Sequence, residues 1–133
     1  MAFDLKACID SLQPPAIHTF LGGKIESIQQ NEWQAVISYQ PRTEFANPMG
    51  QLQGGMLCSM LDDAMGLFVM LAQEGAPAAT VMMNISFLRP CQLEQVEVQV
   101  SFVRQGRRFS NIEAVAYQQA KAVAKATAAF TPV

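Results

Sequence analysis

The sequence contains little charge for its size. Asp, Glu, Lys and Arg make up 15% of its 133 residues, hydrophobic residues make up 50%, and the net charge is -2. A small domain has a large surface relative to its volume, so this composition predicts that another copy of the chain covers part of an apolar surface. The absence of a basic excess argues against nucleic acid binding. The length predicts a single domain over residues 1–133.

Cysteine and histidine are also scarce. The three cysteines, Cys8, Cys58 and Cys91, are odd in number and follow no metal-like spacing. We therefore expect reduced thiols in a cytoplasmic protein and no bound metal. Charged residues interrupt the first apolar residues, so no N-terminal signal is expected. His18 is the single histidine. It is expected on an early strand in a structural or surface role.

Apolar periodicity predicts a helix, two strands, a long helix and four further strands. The last segment is rich in alanine, which favours helix, but its alternating pattern indicates a strand. The predicted elements are a helix over 3–12, an extended segment over 17–29 with a bulge or bend at Gly22–Gly23, a strand over 32–40, a loop over 41–53, a helix over 54–73, and strands near 81–87, 96–102, 109–117 and 121–130.

The long helix is apolar on almost every side, so it must be surrounded. Its length and its two carboxylates argue against a membrane span. Consecutive late strands joined by short turns predict an antiparallel sheet that curves around this helix, giving the α+β class. The expected core faces of two strands are Trp33, Ala35, Ile37 and Tyr39, and Val81, Met83, Ile85 and Phe87.

One face of the long helix carries a stripe of small or polar residues, defined by Gly55, Cys58, Ser59, Asp62 and Gly66 at helical spacing. A carboxylate in the centre of such a stripe can line a cavity, where it could act chemically. The alternative is that Asp62 pairs with an arginine or a backbone group at a subunit interface. Cys58 is expected to line the pocket, because no base near it in the sequence would activate it as a nucleophile.

Asp63 follows Asp62 directly, so the two carboxylates point about 100° apart and do not form a facing pair. For Asp63 the preferred interpretation is structural pairing with an arginine or the backbone at an interface. Gly54 and Gly55 begin the helix, where unpaired N–H groups could hold a developing oxyanion and glycine allows a substrate close to the backbone. The alternative is a glycine turn that only starts a helix.

Together these residues resemble a known family. The run Asn47-x-x-Gly50-x-x-Gln53-Gly54-Gly55, with Asp62 following, is similar to the active-site signature of hotdog-fold acyl-CoA thioesterases of the PaaI-like, phenylacetate-degradation type. The segment 80–90 (TVMMNISFLRP) resembles the strand after the long helix in that family, and 104–108 (RQGRR) resembles its next hairpin.

The resemblance implies a hotdog fold, a homodimer that often pairs into a homotetramer, and active sites at the subunit interface. It implies that Asn47 and the backbone N–H of Gly54 polarise a thioester carbonyl. Asp62 of the neighbouring subunit would act as general base or nucleophile, and Thr80 would orient the attacking water. Gly55 and Ser59 would border the substrate. No metal or organic cofactor is required.

Gln53 departs from the family, which usually has histidine at this position. Glutamine can donate a hydrogen bond but cannot transfer a proton near neutral pH. A non-catalytic acyl-CoA or fatty-acyl binding protein is therefore the alternative function. A hydratase or dehydratase ranks last, because those enzymes typically use a histidine partnered with an acid and no histidine lies near the motif in the sequence.

Four arginines could bind the phosphates of coenzyme A. A turn rich in arginine is also an ordinary solvated hairpin end, and that alternative stays open. The four are Arg89, Arg104, Arg107 and Arg108.

Overall fold

A computed structural model describes residues 4–133. Residue 3, at the start of the first predicted helix, lies outside the described residues. The elements in chain order are α1 (Leu5–Ser11), α2 (Ala16–Phe20), β1 (Gly23–Gln29), β2 (Gln34–Tyr39), a 3-10 turn (Thr43–Phe45), α3 (Gly54–Ala72), β3 (Ala78–Phe87), β4 (Val96–Arg104), β5 (Ser110–Gln118) and β6 (Lys121–Pro132).

The six strands form one antiparallel sheet in the order β1-β2-β4-β5-β6-β3, and α3 packs against one of its faces. This arrangement confirms the predicted α+β class with a long central helix. Strand β3 connects directly to α3 in the chain but lies at the far edge of the sheet, paired only with β6 among the described strands. Strand β3 also packs against α3. The middle of the helix therefore lies close to a strand that has a hydrogen-bonded neighbour on one side only among the described strands.

Small side chains on β5 and β6 allow α3 to lie close to the sheet. Alanine occupies about half of the buried positions of these strands, while large apolar side chains of the helix fill the space above them. Alanine in the last segment therefore serves packing, and the predicted strand there is confirmed. The alanines are Ala114, Ala116, Ala124, Ala126 and Ala128, and the helix residues include Leu57, Met60, Leu61, Met65 and Phe68.

The extended segment predicted over 17–29 is wrong in its first part, which forms helix α2. Pro15 precedes this helix as its N-cap, a position where a missing N–H costs nothing. Gly22, at φ 74°, turns the chain so that β1 begins at the next residue. His18 therefore lies on a helix and not on a strand, and its side chain is buried.

The strand predicted over 32–40 is shorter, because Trp33 lies in the preceding turn at φ 46°. The Trp33 ring nevertheless reaches the core, with its centroid 6.1 Å from that of Phe68 and 6.4 Å from that of Phe102. On the opposite face of β2, Ser38 is buried against expectation and donates a hydrogen bond of 2.7 Å to Glu26.

A β-bulge interrupts the face predicted for β3. Thr80 pairs with Phe130 and Met82 pairs with Ala129, which leaves Val81 as the extra residue. Met83 packs against the core as expected, but Val81 is 52% and Phe87 is 55% exposed, so the prediction is wrong for these two residues. Because a bulge reverses the alternation of side chains, Thr80 faces α3 together with Met83.

Helix α3 is long and apolar enough to cross a membrane when judged only by length and composition, so the expectation that it is too short and too acidic is wrong on those grounds. Its place in the fold differs from that of a span exposed to lipid. Half of the helix is buried within the chain itself, as in the core helix of a folded domain.

Candidate active site

The stripe on α3 is less buried than the large apolar side chains of the helix. Gly55, Ser59, Asp62 and Gly66 all lie outside the buried core, but of these four only Asp62 and Gly66 border one of the two clefts described below. Thr80 donates a hydrogen bond of 2.8 Å from its hydroxyl to Oδ1 of Asp62. This bond joins the helix to the edge strand, and it leaves Oδ2 of Asp62 available to a water or a substrate.

Asp62 lines a cleft of about 300 Å³, named here the Asp62 cleft. Asp63 and Thr80 also border it, so the polar groups gather at one side. The remaining walls are mainly apolar and come from four segments of the chain. They include Pro15, Gly66, Leu67, Met70, Pro77 and Phe130. Such a mixture suits a ligand with an apolar body and one reactive polar group.

Asn47 and Gly54 line a different cleft of about 380 Å³, named here the Asn47 cleft. The side-chain oxygen of Asn47 accepts hydrogen bonds from the backbone N–H groups of Met49, at 2.9 Å, and Gln51, at 3.0 Å. These two bonds fix the amide orientation, so the Nδ2 group remains available as a donor. Sequence reasoning missed Phe87, which also borders this cleft.

The first turn of α3 provides further donors. The backbone oxygen of Gln53 accepts from Met56 and Leu57, whereas the N–H groups of Gly54 and Gly55 have no backbone acceptor within residues 4–133. The Gln53 side chain makes no capping bond and is exposed. This end of the helix therefore presents two unpaired amides and a positive dipole end.

The two clefts lie too far apart within one chain to act on the same carbonyl group. Gly54 and Asp62 are separated by eight residues of helix, or about 12 Å along its axis at 1.5 Å per residue. Each of the two clefts is nevertheless bordered by residues of β3. A Cβ added to Gly54 would lie 3.4 Å from the Phe87 ring, near the end of β3, while Asp62 contacts Thr80 near its start.

Asp63 belongs to a buried cluster that sequence reasoning did not find, and its predicted arginine or backbone partner is wrong. Its Oδ2 lies 2.6 Å from Nδ1 of His18 and accepts a bond of 2.7 Å from the Tyr39 hydroxyl. The side chains of His18 and Asp63 are only 6% and 5% exposed. His18, distant in sequence, is thus partnered with an acid, but its ring does not border either cleft.

Burial and negative charge act on two other side chains near Asp62. Burial, the charge of Asp63 and its hydrogen bond, and the charge of Asp62 together raise the pKa of Tyr39 far above its ordinary value. Burial and the Asp62 carboxylate raise the pKa of the Cys58 thiol. A thiol with a raised pKa is a poor nucleophile, which agrees with the expectation that Cys58 is not catalytic. Cys58 borders neither the Asp62 cleft nor the Asn47 cleft, so it does not line either of them as expected.

The arginines occupy two places. Arg89 borders the Asn47 cleft and donates a bond of 2.6 Å to the backbone oxygen of Ala122. The other three are exposed at the hairpin between β4 and β5 and border neither cleft within one chain. They are Arg104, Arg107 and Arg108.

A larger concavity, of about 750 Å³, lies on the side of the sheet away from α3. It is lined by polar side chains such as Glu26, Gln99 and Tyr117, and by none of the predicted site residues. Within residues 4–133, no group of three or more His, Cys, Asp or Glu side chains is placed to hold a metal ion.

Comparison with known proteins defines the family. The sequence profile described as the acyl-CoA thioesterase N-terminal domain matches residues 45–131, which include the lining residues of both clefts except Pro15. The chain belongs to this family. It is similar to acyl-coenzyme A thioesterase 13 of Homo sapiens, with 25% identity over 89 residues. That match covers 66% of this chain and 64% of the human protein, so the chain spans just under two thirds of the curated relatives' length.

Solved structures agree with this assignment. A phenylacetic acid degradation-related protein of Ralstonia eutropha JMP134 superposes with a TM-score of 0.89 and 33% identity, over 96% of this chain and 98% of its own. The PaaI protein of E. coli superposes with a TM-score of 0.79 over 96% of this chain and 89% of its own, and at 23% identity it shows the shared fold. The PaaI-like resemblance and the hotdog fold are thereby confirmed.

The raised pKa of Tyr39 predicts a pH dependence of stability. Above pH 10, the ordinary value, the unfolded state loses the phenol proton while the folded state keeps it, so unfolding is favoured. Relative to Tyr39→Phe, the wild type should lose about 1.4 kcal/mol of unfolding free energy per pH unit above pH 10. Urea unfolding between pH 9 and pH 11 measures the difference.

Tyr117→Phe is the matched control, because Tyr117 lies on β5 and borders the outer concavity. It leaves Tyr39 intact and should lose stability above pH 10 in parallel with the wild type. A constant difference between wild type and Tyr39→Phe over this range would contradict the burial of a protonated phenol.

Proposed function

We propose that the protein is a cytoplasmic acyl-CoA thioesterase whose active site combines the Asp62 cleft of one subunit with the Asn47 cleft of another. Three observations support this function: the family membership, the Thr80–Asp62 bond, and unpaired amides at the start of the same helix. The Thr80–Asp62 bond is the main support for this function, because it presents a carboxylate to a cleft large enough for an acyl group.

The edge strand β3 explains how two clefts can form one site. Two-fold pairing of this strand with its copy would set the start of one β3 beside the end of the other. The Thr80–Asp62 end of one subunit would then approach the Phe87–Gly54 end of its partner. Four side chains on or just after β3 are more than half exposed and could be covered by such pairing: Val81, Met82, Phe87 and Leu88. The homotetramer remains an expectation from the family.

Hydrolysis would proceed in two steps at this composite site. Asp62 takes a proton from water as the water oxygen attacks the thioester carbon, and the Gly54 N–H and the Asn47 amide hold the resulting oxyanion. The tetrahedral intermediate then expels the coenzyme A thiolate and leaves a carboxylic acid, and the proton held by Asp62 passes to the thiolate or to solvent, which restores the carboxylate. Thr80 keeps Asp62 in position, and its oxygen retains lone pairs for the water. Direct attack by Asp62, through an anhydride, is the alternative first step.

Gln53 supports a second candidate, a protein that binds acyl-CoA without hydrolysing it. Its exposed amide can donate a hydrogen bond toward the leaving sulfur but cannot protonate it. Tight binding of acyl-CoA by the wild type, with no release of free thiol over a panel of acyl groups, would favour this candidate.

Asp62→Asn should lower kcat at least about 100-fold, because an amide of the same shape cannot accept the proton from water. Release of free thiol from acyl-CoA measures the rate. Asp10→Asn, on the exposed face of α1, is the matched control and should retain full activity. Undiminished hydrolysis by the folded Asp62→Asn protein would reject the assigned base.

Mixed subunits test whether the site is shared. Asp62→Asn and Asn47→Ala should each be nearly inactive alone. A dimer with one chain of each kind carries one intact site, so an equal mixture after unfolding and refolding should recover about a quarter of wild-type activity. Failure of the mixture to regain activity, with mixed dimers verified by mass spectrometry, would mean that each site belongs to one chain.

Two carboxylates at the Asp62 cleft predict a preference for neutral acyl groups. Hexanoyl-CoA and adipoyl-CoA have acyl chains of equal length and differ in one terminal carboxylate. Repulsion from Asp62 and Asp63 should make kcat/KM for adipoyl-CoA at least about tenfold lower. Equal or faster hydrolysis of adipoyl-CoA would show that the acyl group does not occupy this cleft.

A further inference from the structure

The cluster of His18, Asp63 and Tyr39 has no part in the proposed chemistry, yet it joins α3 at the residue next to Asp62. Asp63 brings together helix α2, through His18, and strand β2, through Tyr39. Both bonds, at 2.6 and 2.7 Å, are in the short range of hydrogen bonds to a charged carboxylate, which are stronger than neutral ones.

The surrounding chain is shaped to hold the His18 ring. Gly23 packs directly on this ring, and a Cβ at that position would overlap the imidazole atoms. The rings of His18 and Tyr39 meet edge to face, with centroids 6.0 Å apart. Three elements thus fix the histidine, so the cluster is a rigid support for α3.

We propose that His18, Asp63 and Tyr39 are positioning residues that set the rotation of α3 and thereby the direction of the Asp62 carboxylate. The inference depends on the proposed function of Asp62. Adjacent residues of a helix point about 100° apart. Asp62 therefore forms its hydrogen bond to β3, while Asp63 forms its hydrogen bonds to α2 and β2 in another direction.

A small rotation of α3 is enough to change the reaction rate. Turning α3 by about 10° moves an atom roughly 6 Å from its axis by about 1 Å. A displacement of that size at a catalytic group can reduce the rate about 100-fold. Hydrogen bonds depend strongly on direction, so the bonds of the cluster add angular control to that of the packed core.

Two substitutions on different elements should give the same kinetic result. Tyr39→Phe removes one donor to Asp63, and Gly23→Ala displaces the His18 ring. Each should lower kcat for hexanoyl-CoA about tenfold while KM stays within about twofold. Asp63→Asn, which keeps an acceptor of the same shape, should retain more activity than Asp63→Ala. Tyr117→Phe should match the wild type.

A double substitution separates positioning from general destabilisation. If the cluster acts through Asp62, Tyr39→Phe should cause no further loss in a protein that already carries Asp62→Asn. Circular dichroism and melting temperature verify that each variant is folded at the assay temperature. Folded Tyr39→Phe with unchanged kcat and a lowered melting temperature would overturn the inference, as would additive losses in the double variant.

The same assays distinguish the two proposals. An inactive Asp62→Asn protein together with unchanged kcat in folded Tyr39→Phe would overturn the positioning role alone. An active Asp62→Asn protein would overturn the proposed function, and the positioning role with it.

Discussion

The hydrogen bond between Thr80 and Asp62 connects the buried helix to the open edge of the sheet, and the proposed site depends on this connection. Thr80 can reach Asp62 because Val81 is an extra residue in β3. Without the bulge, the alternation of the strand would turn the Thr80 hydroxyl away from α3. A local irregularity of one strand therefore decides whether the carboxylate in the middle of the helix has a partner and a fixed direction.

The distribution of apolar residues and the separation of the clefts have one common explanation. A chain that is half hydrophobic leaves Val81, Met82 and Phe87 exposed along its edge strand, and the N–H groups proposed to hold the oxyanion lie about 12 Å along α3 from the Asp62 carboxylate. A second copy paired at β3 would cover those side chains and supply the missing half of each site. Stability and activity would then both depend on the same interface.

The sequence predicts features that depend on local periodicity better than features that depend on pairing between distant segments. Helix α3 and strand β6 are both visible in the residue pattern, and both are confirmed. Helix α2 has only five residues, too few for a helical period to appear. The bulge at Val81 is a relation between two strands, and the bond from His18 to Asp63 spans 45 residues. Neither leaves a pattern in a single sequence.

A structure of the protein with a ketone analogue of an acyl-CoA, which cannot be hydrolysed, would test the shared site most directly. The ketone oxygen should lie about 3 Å from the backbone nitrogen of Gly54 in one subunit. The ketone carbon should face the Asp62 carboxylate contributed by the other subunit. A ketone bound away from both groups, or held by Gly54 and Asp62 of the same chain, would contradict the site proposed for this protein.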